Sequence, residues 1–460
     1  MEMNDTIAAL ATPPGEGGIS IIRISGENAL SIGKALFHSK LKIKNKFPPV
    51  QKVLLGEIRD PESEQVIDEV LFTWFKKPVS YTGEDVVEIS GHGGTLVSTT
   101  LLQLILKQGA RIAEPGEFTR RAFMSGRLDL TQAEAVADLI DAASEKALNS
   151  AVSQLKGGLS KRINKLFDQL LEVQAQLEAA IDFSEEGLTF QSRETTVSQI
   201  KKVKKEITSL VESFQQGKII HEGMRVALVG KPNVGKSSLL NSLMQEDRAI
   251  VTDMPGTTRD TLEERIRIKD IHIVITDSAG LRDNPEIVEE KGIQRTRNAV
   301  GQSDLVLVVF DHSRPLDGND KLLISEVKDK PRFILLNKAD LDPQWKKEEI
   351  INLLTSDTTI SISAKTGAGL KNLKEAIYNF VIKGAQEKDS IIITRERHRD
   401  HLKRATTALD SASKNLDAGY SEELIAVDIN LAIEHLGAVL GKTFIEDLLD
   451  KIFGQFCIGK

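Results

Sequence analysis

The chain has 460 residues, 40% of them hydrophobic and 28% charged, with one cysteine and a formal net charge of −7. That length is too great for one core and suggests about three domains of roughly 150 residues each, while a lone cysteine excludes an internal disulfide framework and agrees with a reducing, cytoplasmic setting. No run approaches the ~20 apolar residues of a membrane span, acids stand where a signal peptide would be basic, and the acidic total leaves any RNA contact to a local basic patch.

Residues 1–122 read as a mixed α+β domain: "GISIIRIS" and "DVVEIS" look like strands, and "TLVSTTLLQLILKQ" like a helix between glycine-containing turns. From about Thr131 the pattern turns helical. Leu159, Ile163, Leu166, Leu170, Leu177 and Ile181 recur at the spacing of a long amphipathic helix, and after an interruption near Gly187 a second helix carries Val197, Ile200, Ile207, Leu210 and Phe214. Such faces are ordinarily packing surfaces.

After "QQGK" strands alternate with helices: "VALVG", "IHIVITD", "LVLVVFD", "RFILLNK" and "TISISAK". Nearly continuous apolar strands suit a sheet covered on both faces. Helical sequence resumes near Ser390. The expected architecture is therefore multidomain, α/β plus all-α: an N-terminal domain over 1–122, a discontinuous helical domain over 123–218 and 385–460, and an α/β domain inserted at 219–384.

"GKPNVGKS", Gly230 to Ser237, falls between an expected strand and an expected helix, the setting that makes this phosphate-loop pattern specific. Its glycines let Asn233, Val234, Gly235, Lys236, Ser237 and Ser238 turn backbone N–H groups and a helix N-terminus toward phosphates. Lys236 supplies a cation near the β and γ phosphates and the Ser237 hydroxyl a ligand for Mg²⁺. "NKAD" supplies Asn337, Lys338 and Asp340; the Asp340 carboxylate can accept from the ring N–H and exocyclic amine of guanine, whereas adenine offers an acceptor there. "SAK", Ser363, Ala364 and Lys365, can bring the Ala364 N–H to the guanine oxygen. Motifs in this order resemble the Ras-like P-loop GTPases. "VTDMPGTTRD" adds Thr252, Asp253, Met254, Pro255, Gly256, Thr257 and Thr258, the last fitting a second Mg²⁺ ligand, and "DSAG" adds Asp277, Ser278, Ala279 and Gly280. The next residue is Leu281, which cannot orient an attacking water.

The whole chain resembles the bacterial and organellar MnmE (TrmE) family of tRNA modification GTPases, on "DTIAALATPPGEGGISIIRISG", "GEDVVEISGHGG", "FTRRAFMSGRLDLTQAEAVADLI", the GTPase motifs and the final "CIGK". The resemblance implies a K⁺ ion where other GTPases receive an arginine finger, held by the Asn233 side chain and by oxygens of Thr252, Met254 and Thr257. Such a finger contributes ~10³ to 10⁵ in rate, so the ion supplies on the order of 4–7 kcal/mol. It also implies that Glu289, in "EIVEEKG", positions the water, with Lys236 as its catalytic companion. Read without the resemblance, Glu289 is an ordinary helix-start carboxylate.

The family further implies a site for 5-formyltetrahydrofolate or 5,10-methylenetetrahydrofolate at Arg23, Glu88, Arg127 and Lys460, with Cys457 a thiol beside it; many members carry Lys at Arg127, Asn at Ser125 and Thr at Ser278. Implied partners are a second copy of the chain, the flavoprotein MnmG in a heterotetramer, and tRNA, whose wobble uridine would gain an aminomethyl or carboxymethylaminomethyl group at C5. His92 in "GHGG" reads as a turn or core histidine rather than a base. Thr394 to Arg404, "TRERHRDHLKR", is the best basic patch, and "KKVKKE" near Lys201 a weaker one. Two alternatives stand beside this reading: a regulatory GTPase of ribosome assembly of the Era/EngA kind, and a folate-dependent aminomethyl transferase, which would need no guanine pocket.

Overall fold

A computed structural model describes residues 5–40, 48–182, 193–246, 263–269, 271–277, 297–345, 358–382 and 391–460. The chain divides into a unit of residues 1–141, 151–208 and 400–460 and a unit of residues 142–150 and 209–399.

In the first unit, strands β1 (Ile7–Leu10), β2 (Gly17–Ser25), β3 (Phe37–Ser39), β4 (Leu54–Arg59), β5 (Val66–Phe75), β6 (Val86–Gly93) and β7 (Arg111–Ile112) form one sheet in the order β3-β4-β5-β6-β2-β1-β7. Period-two alternation in β2 sends Ile22 and Ile24 into a core with Phe72, Val87 and Ile89. The helices Ala29–Leu36 and Thr95–Lys107 cover that face with Ile32, Leu36, Leu101, Leu104 and Ile105. The intervening β2 residue Arg23 lies in register with Glu88 of the antiparallel β6, so the two share a face of the sheet.

The expected stripe folds as the helix Gly158–Asp182, burying Leu159, Ile163, Leu166, Leu170 and Leu177 against the helix Glu422–Leu440. Helices Glu117–Met124, Leu130–Ile140 and Glu446–Phe453 join through Phe123, Leu130, Leu449, Phe453 and Phe456. Asp129 opens the second of these with a capping box: its carboxylate accepts from the Gln132 N–H while Gln132 returns a bond to the Asp129 N–H.

The second unit holds β8 (Met224–Val229), β9 (Glu263–Ile268), β10 (Ile271–Asp277), β11 (Leu305–Asp311), β12 (Arg332–Asn337) and β13 (Thr358–Ser361), ordered β13-β12-β11-β8-β10-β9. All neighbours are parallel except β9, which runs antiparallel to β10 at the edge. Every residue of β11 is buried, as a sheet with cores on both faces requires. Since β8 has β11 on one side and β10 on the other, its C-terminal end is the point where strand order reverses, and there an open α/β sheet leaves its ligand crevice. The sequence at that point is Gly230 to Ser237. Among the described residues, no helix is long and apolar enough to cross a membrane.

Candidate nucleotide site and a cationic cavity

Beyond β8 the chain turns through Asn233 (φ 62°) and Gly235 (φ 99°) into the helix Lys236–Glu246. Asparagine tolerates the left-handed region, whereas position 235 admits only glycine: a Cβ there would lie 2.2 Å from Asn337 Nδ2. Ser237 and Ser238 are exposed in the first helical turn. Lys236 is buried, its ammonium donating to the carbonyls of Gly230 (2.7 Å) and Lys231 (2.9 Å). Lys231 in turn donates to Asp317 (2.6 Å) and Asp320 (2.9 Å). Burial alone would lower the Lys231 pKa, but the two carboxylates outweigh it and raise it.

One buried side chain ties this loop to the rest of the site. Asn337 Nδ2 donates to the Val234 carbonyl at 2.7 Å, and Asn337 Oδ1 accepts the Ala364 N–H at 2.9 Å. The Ala364 N–H expected to meet a guanine oxygen is thus bonded to Asn337 here, because a buried N–H takes the acceptor within reach. The Asp340 carboxylate accepts from the Ser363 hydroxyl at 2.6 Å. That bond, its own backbone N–H and the nearby Lys365 and Lys338 ammoniums hold its pKa below the usual carboxylate value, so it is a fixed, ionised acceptor. Lys338, in the left-handed region at φ 64°, donates to Asp311 at 2.6 Å. Asp277 ends β10 opposite Leu228 of β8. Thr252, Asp253, Met254, Pro255, Gly256, Thr257, Thr258, Ser278, Ala279, Gly280, Leu281 and Glu289 lie outside the described residues.

A second site lies in the first unit. A cavity of about 350 Å³ is lined by Arg23, Tyr81, Arg127 and Lys460 on its polar side and by Val136, Leu139 and Ile140 on its apolar side. The volume falls within the ~300–1,000 Å³ usual for small-molecule sites. The guanidiniums of Arg23 and Arg127 stand 4.9 and 5.2 Å from the Tyr81 ring centroid, and the Tyr81 hydroxyl bonds Thr119 Oγ1 at 2.8 Å. Arg127 also donates to the Tyr81 carbonyl. Three of the expected folate residues therefore meet, while Glu88 is not among the lining side chains: its Oε1 accepts from Arg23 Nε at 2.9 Å and forms an ion pair with Nη2 at the same distance, and so acts on the cavity through Arg23.

Cys457 is exposed, and its carbonyl accepts from the Gly116 N–H at 3.5 Å. His92 is neither core nor a tight turn: it sits exposed in β6, Nδ1 bonded to the shielded Asp68 carboxylate at 2.6 Å. In the basic run, His398 is fully buried and Arg399 stacks 4.6 Å over Phe214, leaving Lys403 and Arg404 exposed.

Residues 130–457 match the MnmE helical domain, and residues 6–127 match the N-terminus of the GTP-binding protein TrmE. The chain belongs to the MnmE family of tRNA modification GTPases. The tRNA modification GTPase MnmE of Natranaerobius thermophilus is 45% identical over 99% of both chains, and that of Clostridioides difficile 43% identical over the whole of both. Among solved structures, the G domain of the T. maritima FeoB iron transporter is 28% identical over 35% of this chain and 99% of that one, with a TM-score of 0.27. As an MnmE-family member the chain is a GTP-hydrolysing enzyme, which sets aside the folate-dependent transferase without a guanine pocket. Family motifs alone missed two residues of these sites: Tyr81, whose flanking "VSYTG" carries no signal, and Asp311, which reads only as the polar end of an apolar strand.

Proposed function

We propose that this enzyme is a potassium-stimulated GTPase that works with MnmG to modify C5 of the wobble uridine of certain tRNAs, drawing the one-carbon unit from a tetrahydrofolate. Residues 1–122 are assigned to folate binding and dimerisation, 219–384 to the GTPase, and 123–218 with 385–460 to the helical domain, all acting in the cytoplasm. The observation that carries the reading is the cavity bounded by Arg23, Arg127 and Lys460, cations suited to a folate's carboxylate tail, around the Tyr81 ring, suited to a flat heterocycle.

In the other site, the N–H groups from Asn233 to Ser238 and the Lys236 ammonium receive the phosphates, and Asp340 reads guanine. The exposed Ser237 hydroxyl is the kind of hard oxygen Mg²⁺ takes, with Thr258 as its companion. The exposed Asn233 side chain fits a weakly hydrated cation, with Thr252, Met254 and Thr257 completing the set. Potassium, when bound, offsets negative charge developing between the β and γ phosphates. Glu289 orients the water that Leu281 cannot.

The test is nucleoside analysis of a deletion strain complemented by this gene. The C5 aminomethyl and carboxymethylaminomethyl uridines disappear on deletion and return on complementation, while ribosomal subunits mature normally. Intact wobble nucleosides with accumulating subunit precursors would instead favour the ribosome-assembly role. The purified enzyme also turns GTP over far faster in potassium than in sodium; equal rates would remove the ion from the scheme.

A further inference from the structure

We propose that Asp311 is a positioning residue for the guanine end of the nucleotide, acting by anchoring the Lys338 ammonium. The proposal rests on reading Asn337 to Asp340 as the base site. Asp311 closes β11 and lies in register with Asn337 of β12, which sets its carboxylate beside the residue that follows, Lys338. Oδ2 accepts from Lys338 Nζ at 2.6 Å and forms an ion pair with Arg314, whose Nε stands 3.0 Å away. Oδ1 accepts from the Ser313 N–H at 3.0 Å and its hydroxyl at 2.6 Å. Asp311 is 6% exposed, and a carboxylate so shielded is tolerable only with such partners.

The anchoring has a consequence for binding. Lys338 stands between Asn337, which bridges the phosphate loop and the Ser363–Lys365 turn, and Asp340, the guanine acceptor. A lysine free at its tip samples many rotamers, and a ligand that packs on it must stop that motion. With the ammonium held by Asp311, the four methylenes become a fixed apolar strip, the surface a planar base needs against its face while Asp340 holds its edge. Arg314, on the same Asp311 oxygen, also donates to the Pro232 carbonyl of the phosphate loop at 3.4 Å. One carboxylate thus braces both ends of the pocket.

The experiment measures dissociation of a fluorescent GDP analogue by stopped flow, and steady-state GTP hydrolysis, on the full chain. Asp311→Asn is expected to raise Kd on the order of tenfold, chiefly through faster dissociation, with KM rising in parallel and kcat at saturating GTP within about twofold. Lys338→Met, which keeps the stem and loses the cation, should raise Kd to the same extent, and the double variant should add nothing to that rise, because both break one interaction. Unchanged GDP affinity in Asp311→Asn, or losses that multiply in the double variant, overturns the proposal. Should Asp311→Asn not fold, normal GDP affinity in Lys338→Met overturns it alone. Asp340→Asn serves as control for the underlying reading: its amide should transfer preference from guanine to xanthine nucleotides. Failure of that transfer removes the base site itself, whereas success alongside a normal Asp311→Asn removes only the positioning role.

Discussion

Asn337 is legible in the sequence through "NKAD", yet what it does in the fold is not. Its motif marks it as part of a base-binding segment, while its structural role comes from two distant partners, Val234 and Ala364, which no local pattern announces. The same holds for Gly235: the phosphate-loop pattern demands glycine there, and the structure supplies the reason, an Asn337 amide where a Cβ would be. Tyr81 and Asp311 escaped because their importance lies in what surrounds them. Asn337→Ala strips the partner from a buried carbonyl and a buried N–H at once. We expect it to cost roughly 2–6 kcal/mol of stability in the nucleotide-free protein, at about 1–3 kcal/mol per orphaned group, measured by urea denaturation of the full chain. A loss confined to nucleotide affinity, with unfolding unchanged, would count against the bridging role.

At the scale of elements, periodicity read well where one physical cause dominated. The expected stripe is buried from Leu159 to Leu177, with Ile181 at its end half-buried, because a long helix packed along one main partner obeys one period. The strands over 271–277 and 305–311 match because sheets covered on both faces are apolar throughout. Glu263–Ile268 carried no such run: "EERIRI" is an antiparallel edge strand, defined by its pairing with β10. Also hidden from pattern is the ion network of the helix Glu117–Met124. Glu117 and Arg121, an i,i+4 pair at 5% and 3% exposure, are joined by Arg111, which donates to both Glu117 oxygens at 2.7 and 2.9 Å. Burial would raise the Glu117 pKa, but Arg111, the Glu114 N–H and Arg121 outweigh it and lower it from 4.5. A depressed folded pKa means stabilisation that is present above the unfolded value and lost as pH falls through the folded one. Glu117→Gln should therefore cost roughly 3–5 kcal/mol at neutral pH. The gap to the parent chain should narrow once pH drops below the ordinary carboxylate value of 4.5. A gap independent of pH would assign the loss to packing rather than charge.

At the scale of the whole molecule, residues far apart in sequence make one cavity, and the chain's last segment is part of its wall. The Phe118 N–H donates to the Lys460 carbonyl at 3.1 Å, the Gly116 N–H to Cys457 at 3.5 Å, and Arg23 to the Gly459 carbonyl at 3.4 Å. Gly459 holds this arrangement in the left-handed region at φ 96°, so close to β1 that a Cβ would lie 2.3 Å from the Leu10 carbonyl. Gly459→Ala must therefore lift the tail from the strand, removing both the carbonyl that steadies Arg23 and the place of Lys460 in the lining. We expect 5-formyltetrahydrofolate affinity, measured by titration calorimetry, to fall on the order of tenfold, the loss of about one charge-assisted hydrogen bond. The candidate nucleotide site lies in the other unit, so GDP affinity should stay within about twofold. Undiminished folate binding would mean that the tail only neighbours the cavity. Parallel loss of GDP binding would mean that the substitution disturbs the fold as a whole rather than the cavity alone.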